Sequence, residues 1–321
     1  MSNKNALITG CLGQDGILLT RFLNGLGYKV YGTTHRQLAS ISSIDGIEKI
    51  YKLNLDDCNE VNAIVAEIKP TEIYLLAAKS SSASLMQDPV TTTLTNGVSV
   101  VNFLEAVRLF SQQSKICFAA SSEVFAGADV TPQTIHTPVY PVNFYGAAKC
   151  FAWHMIKIYR HSFGIKAGTA ILYNHESIHR KHNYVSRKIT SAAARIKLGI
   201  QQDLMLESLS SQRDWMHAND AVNGMWLMLQ QDVPEDYVFG SGKLHSVEDI
   251  CRTAFEFVGL DYRQFVKIKS NEVRRSDAIQ LIADISAATE KIGWKTTVSF
   301  EDMIQEMTAY DLMLESVAKV E

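Results

Sequence analysis

Short apolar runs and amphipathic stretches alternate through the first half of this chain. NALIT, KVYGTT, EIYLLAA and KICFAAS are the apolar runs, and DGILLTRFLNGL, VNAIVAEI and VVNFLEAVRLF lie among them with helical character. The alternation predicts βαβ units around a parallel sheet. A longer helix is predicted over YGAAKCFAWHMIKIYRHSFG, followed by a buried strand, TAILYN, that ends at Asn174.

Beyond Asn174 the rhythm changes to SRKITSAAARIKLG, NDAVNGMWLMLQQ and SVEDICRTAFEFVG, longer helices with short strand-like pieces between them. That change predicts a smaller second lobe. No linker rich in Gly, Ser or Pro separates the halves and no internal repeat is present. The lobes are therefore expected to pack closely, with a cleft at the carboxyl ends of the strands. The predicted fold class is α/β: a Rossmann-type doubly wound parallel sheet with a smaller α/β lobe built from the C-terminal half.

Composition narrows the function without naming it. A chain of 321 residues suggests about two domains, and 46% hydrophobic with 20% charged residues suits a soluble globular protein with a sizeable core. Lys and Arg number 31 against 34 Asp and Glu, a formal net charge of -3. No basic field exists to hold a nucleic acid or an anionic membrane, so an anionic ligand must be met by a few local cations. No apolar run approaches the ~18 residues of a membrane span, and MSNKNALITG lacks a signal-peptide layout, so a cytoplasmic location is expected. Cys11, Cys58, Cys117, Cys150 and Cys251 are scattered without CxxC spacing, which predicts buried thiols in place of disulfides or a metal cluster.

Three local patterns carry chemistry. In ITGCLGQDG the first strand ends in Gly10, Gly13 and Gly16 and leads into a helix, which lets backbone amides and the positive helix end approach a pyrophosphate. KVYGTT ends without the acid that would bind a ribose 2′-hydroxyl. His35 and Arg36 follow it, and an arginine there suits a 2′-phosphate, so NADP is expected over NAD. Tyr145 and Lys149 in YGAAK are four apart and share a helix face, where an ammonium is expected to lower a phenol pKa that starts near ~10. AASSE offers Ser121, Ser122 and Glu123 to the same cleft.

A fourth pattern misleads. His175-Glu176-Ser177-Ile178-His179 spells the H-E-x-x-H of zinc proteases, which works only on a helix. The strand-like run before it and the unpatterned RKHNYV after it predict a strand-to-loop exit, and no metal site is expected.

Taken together these residues resemble the extended short-chain dehydrogenase/reductases and, within them, the GDP-mannose 4,6-dehydratase family. The resemblance rests on ITGCLGQDG, ASSEVF and YGAAK, and above all on ILYNHES, SRKIT, ARIKLG, RDW, MWLMLQQ and PEDYV, in order over nearly the whole chain. It implies an NADP-binding Rossmann domain over residues 1–173, with returning segments near 214–239 and 281–290, and a sugar-nucleotide-binding lobe from the remainder of 174–321. The implied catalytic set is Ser121, Glu123, Tyr145 and Lys149. The implied cofactor set is Gly10, Gly13, Gln14, Asp15, Gly16, Arg36, Asn54, Leu55, Leu76, Ala77, Ala78, Tyr145, Lys149 and His175. Ser80, Asn174, Lys188, Arg213, Arg274 and Asp277 would bind a GDP-sugar, while His175 and Glu176 would tie the NHES loop down, with His179 and His182 structural.

The reaction so implied is oxidation at C4, elimination of water across C5 and C6, and return of hydride to C6, yielding a 4-keto-6-deoxy sugar nucleotide. Departures from the family pattern are Ser121 for the usual threonine and Arg274-Arg275-Ser276-Asp277 for R-P-x-E, which loosens the expected sugar identity. A shortened segment after Arg36 makes a homodimer the expected assembly, with a homotetramer as alternative. Competing readings are a reductase, epimerase or dehydratase for another GDP-sugar, a keto-sugar or heptose derivative, and a non-catalytic NADP-binding protein.

Overall fold

The structure is a computed structural model that describes residues 4–38, 45–80, 88–269 and 280–320. In chain order its first half runs β1 (Asn5–Thr9), α1 (Gln14–Gly25), β2 (Lys29–Thr34), β3 (Lys49–Lys52), α2 (Cys58–Ile68), β4 (Glu72–Leu75), α3 (Pro89–Thr93), α4 (Ser99–Phe110), β5 (Lys115–Ser121), α5 (Phe144–Phe163) and β6 (Ala167–Leu172). The second half runs β7 (Asn174–Glu176), α6 (Val185–Lys197), β8 (Leu204–Leu206), β9 (Gln212–His217), α7 (Ala218–Gln230), β10 (Tyr237–Phe239), β11 (Leu244–Ser246), α8 (Val247–Phe257), β12 (Val266–Ile268), α9 (Ser286–Ile292) and α10 (Phe300–Val320).

Seven parallel strands form the main sheet in the order β10-β6-β5-β4-β1-β2-β3. Residues along β1 alternate between its faces: Leu7 packs with side chains of α2, α4 and α5, whereas Ala6 and Ile8 pack with those of α1 and α7. All three are fully buried, which is why such a strand reads as a continuous apolar run. The strand order turns at β1 and β4, and because the strands are parallel every carboxyl end meets on one edge.

The second lobe has its own core, in which Ile189, Ala193 and Ile196 of α6, Ile250 and Phe255 of α8, and Met303, Ile304 and Met307 of α10 meet Trp215 of β9. A buried ion pair, Arg187 to Asp311 at 2.7 Å, joins α6 to α10, and Thr190 Oγ1 donates to the same carboxylate at 2.7 Å. The halves interleave where β10 joins the main sheet beside β6, whereas β7 pairs with β9 in a separate three-stranded sheet of order β11-β9-β7.

Four expectations need correcting in detail. The strand read over EIYLLAA stops at Leu75, because the Leu76 and Ala77 amides turn away to donate to Thr9 Oγ1 at 3.0 and 3.1 Å. TAILYN is not one strand, since the chain leaves the main sheet at Tyr173 and Asn174–Glu176 form β7 of the other sheet. Helix α10 was not announced by the alternation. Finally, Cys58 is exposed at the first position of α2, although Cys11, Cys117 and Cys251 are buried as expected.

Candidate active site

The cofactor cradle begins where β1 ends. Gly10 has φ +70°, and a Cβ there would lie 3.0 Å from the Cα of Ala77; a Cβ at Gly16 would lie 2.6 Å from the Gly10 carbonyl. Either side chain would force β1, α1 and the 76–78 segment apart. Helix α1 starts at Gly13 with no side-chain cap, whereas α2, α5 and α8 are capped by Asp57, Asn143 and Ser246. Its first amides and positive end are therefore left for a phosphate. Thr9, absent from the sequence reading, pins Leu76 and Ala77 beside Gly10 through the two bonds given above. Arg36 is exposed just past β2. Asn54 lines an open cavity of about 420 Å³ with Tyr51, Lys52 and Glu60 past β3, and Leu55 follows it. This arrangement fits a dinucleotide, NAD or NADP.

Gln14, Asp15 and His175 are brought together across the lobes. Gln14 Nε2 donates to the His175 carbonyl at 3.0 Å, and Ser177 Oγ donates to Gln14 Oε1 at 2.9 Å. The His175 ring lies between Asp15 Oδ2 (Nε2, 3.0 Å) and the Tyr173 carbonyl (Nδ1, 2.7 Å). Burial pushes the Asp15 carboxyl up, but the charge and hydrogen bond of His175, the Gln14 hydrogen bond and the charge of Arg180 together outweigh it and hold Asp15 at about 2. Burial likewise pushes His175 down, and Asp15 reverses this, leaving the imidazole above its ordinary value. The H-E-x-x-H pattern thus falls on β7 and the turn after it, as its flanks predicted; His179 faces Arg21 at 3.1 Å, and the two imidazoles do not share a helix face.

At the end of β5 the catalytic candidates converge. Tyr145 is 9% exposed and Lys149 is 2% exposed, one turn apart on α5. Ser121 pulls the Tyr145 phenol pKa down, and its Oγ accepts the Glu123 amide at 3.3 Å. Glu123 Oε2 accepts from Asn143 Nδ2 at 2.7 Å. Lys149 Nζ donates to the Ala119 carbonyl at 2.7 Å and lies 5.7 Å from the Tyr145 ring centre.

The expected lowering of the Tyr145 pKa by Lys149 is not what the protein groups produce. Burial raises the phenol, and the charges of Tyr184 and Glu123 add to the rise, while the Ser121 hydrogen bond and Arg180 pull against it and lose. Lys149 is itself lowered to about 7 by burial, and among the described residues no charge raises it back.

On the substrate side the placements diverge. Asn174 pairs in register with Trp215. Lys188 lines an open cavity of about 500 Å³ with His182, Ser191, Gln201, Asp203 and Lys269. Arg213 lies on β9 opposite His245 and is not among the residues lining that cavity. Arg274 and Asp277 lie outside the described residues. Ser80 meets Tyr184, its Oγ 3.1 Å from the phenol oxygen, which also donates to the Ser80 carbonyl at 3.0 Å. Above that ring, at 3.6 Å, sits the guanidinium of Arg180. Neither Tyr184 nor Arg180 was found from sequence. They belong to the run HRKHNY, whose charges look like any solvated loop, and only folding brings their fields onto Tyr145.

The sheet order, the glycine turn and the Ser121, Tyr145, Lys149 grouping define an extended short-chain dehydrogenase/reductase. Solved structures agree on the fold: the UDP-glucose 4-epimerase of Thermotoga maritima aligns with TM-score 0.84 at 21% identity, covering 98% of this chain and 99% of that one. The dTDP-glucose 4,6-dehydratase of Bacillus anthracis aligns with TM-score 0.83 at 17% identity, covering 98% of each. The chain belongs to the GDP-mannose 4,6-dehydratase family, whose profile matches residues 7–307. Among its relatives, GDP-mannose 4,6 dehydratase 2 of Arabidopsis thaliana is 39% identical over 99% of this chain and 89% of its own length. The GDP-mannose 4,6-dehydratase of Yersinia enterocolitica is 35% identical over 96% and 94%. No helix among the described residues is long and apolar enough to cross a membrane.

Proposed function

We propose that the chain is an NADP-dependent GDP-mannose 4,6-dehydratase producing GDP-4-keto-6-deoxymannose. The observation that carries this reading is the convergence of Glu123 with Ser121 and Tyr145, in a chain whose family profile spans residues 7–307. Carbonyl reduction needs one acid/base; elimination of water needs a second, and Glu123 is the carboxylate in place for it.

Tyr145 takes the proton of the C4 hydroxyl, with Ser121 holding the same oxygen by a hydrogen bond. Bound NADP supplies the acceptor for the C4 hydride and the donor that returns it to C6. A ketone at C4 acidifies the C5 hydrogen, which Glu123 removes as a proton and passes to the C6 hydroxyl so that water leaves; when hydride returns to C6, the proton held by Tyr145 goes to C5. Lys149 holds Tyr145 and the ribose. Because burial disfavours the phenolate here, the positive charge of Arg180 works in the same direction as Ser121. Arg36 past β2, with no acid at that strand end, supports NADP over NAD. Lys188, Arg213 and Arg274 supply charge for the diphosphate, and Ser80, Asn174 and Asp277 hold the sugar side. A homodimer is supported by exposed Phe144, Phe151 and Ile158, seven apart along α5 and hence on one face.

Incubation with GDP-mannose and catalytic NADP tests the reading. A product lighter by one water and carrying a base-labile chromophore is expected. Consumption of added NADPH in proportion to substrate, with no water lost, would identify a reductase instead.

A further inference from the structure

We propose that Asn143 is a positioning residue for the elimination step, fixing the Glu123 carboxylate relative to Tyr145; this deepens the dehydratase reading and rests on it. Asn143 is the N-cap of α5, and its Oδ1 accepts the Gly146 amide at 2.8 Å. Its Nδ2 donates to Glu123 Oε2 at 2.7 Å. One planar amide therefore joins the two. Turning it over would set NH2 against the Gly146 N–H and oxygen against a carboxylate, so the donor is forced toward Glu123.

A second contact makes the spacing stiff. A Cβ on Gly146 would lie 2.6 Å from the Glu123 carbonyl oxygen, so the backbone of the first turn of α5 rests directly on that of Glu123. Tyr145 is the neighbouring residue, and Ser121, which lowers its phenol pKa, accepts the Glu123 amide. Ser121, Glu123, Asn143 and the first turn of α5 that carries Tyr145 are thus linked in a chain of contacts, with Asn143 as the side chain that ties the carboxylate into it. Only Oε2 is held by Asn143, which leaves the other oxygen to meet the C5 hydrogen.

Asn143→Ser is the discriminating variant, because serine caps a helix as well as asparagine but cannot reach Glu123 with an amide donor. The readouts are kcat and KM with GDP-mannose, the kinetic isotope effect with substrate deuterated at C5, and the thermal midpoint. Expected for Asn143→Ser are a midpoint and KM close to wild type, and a kcat lowered about tenfold or more, the scale set by losing a hydrogen bond to a charged group. The C5 isotope effect on kcat should rise as proton removal becomes the slow step. Asn143→Ala should match that loss in kcat while also lowering the midpoint. Wild-type kcat in Asn143→Ser, or a fall that follows the midpoint across both variants with no change in isotope effect, overturns the inference. Wild-type protein that leaves GDP-mannose untouched overturns the dehydratase reading and this inference with it.

Discussion

The end of β5 and the substrate side of the second lobe solve opposite problems. Around β5 the proposed reactive groups are buried (Tyr145, Lys149) or half-buried (Glu123), and they have fixed neighbours: Lys149 donates to the Ala119 carbonyl, Glu123 accepts from Asn143, and Ser121 pulls the Tyr145 phenol pKa down. In the second lobe Lys188 stands in an open, polar cavity beside Lys269 and His182. Chemistry at C4 and C5 demands atoms fixed to fractions of an ångström, which burial and hydrogen bonds supply before substrate arrives. The proposed diphosphate contact needs only charge within reach, which an exposed cation such as Lys188 can offer without a fixed partner.

The contrast is broken most directly at Glu123. Glu123→Gln should lower kcat by roughly 10²- to 10⁴-fold, the range of a lost acid/base. Exchange of the C4 hydrogen into the cofactor should persist, and single-turnover product analysis separates the two.

Next in size, Gly146→Ala pushes a methyl into the Glu123 carbonyl, where the near atom is backbone and cannot swing aside. A stability loss of about 1–3 kcal/mol is expected for such overpacking, read by denaturant unfolding, with activity falling further than stability alone explains.

On the other side of the comparison, Lys188→Ala should raise KM about tenfold and leave kcat nearly unchanged, because it removes charge that binds ground and transition states alike. Steady-state kinetics at two salt concentrations check this, with the wild-type KM the more salt-sensitive.

The smallest effect concerns the tie between α1 and β7. His175 lies above 6.5 in the fold, so its share of stability is complete below that value and is lost as pH rises through the raised pKa. Asp15, held at about 2, contributes above its unfolded value near 3.8 and loses that only as pH falls toward 2. The advantage of wild type over Asp15→Asn in thermal midpoint should therefore shrink on raising pH above His175's pKa. An advantage constant through that range counts against the ion pair.

What could be read from the chain was whatever its neighbours along the chain determine. Gly10 to Gly16 are one turn, Tyr145 and Lys149 are one helical step, and the alternation of runs follows from strands buried on both faces. The flanks of His175 to His179 sufficed to reject a helix there, because periodicity is itself a local property. Tertiary structure decided the rest. Asn143 reaches Glu123 over 20 positions, and Tyr184 reaches Ser80 over 104. No periodicity records such pairs, since they depend on how whole elements stack. The same holds for the sign of the Tyr145 shift: an i to i+4 lysine forecasts a lowered phenol, but desolvation is set by everything packed around both groups, and here it prevails.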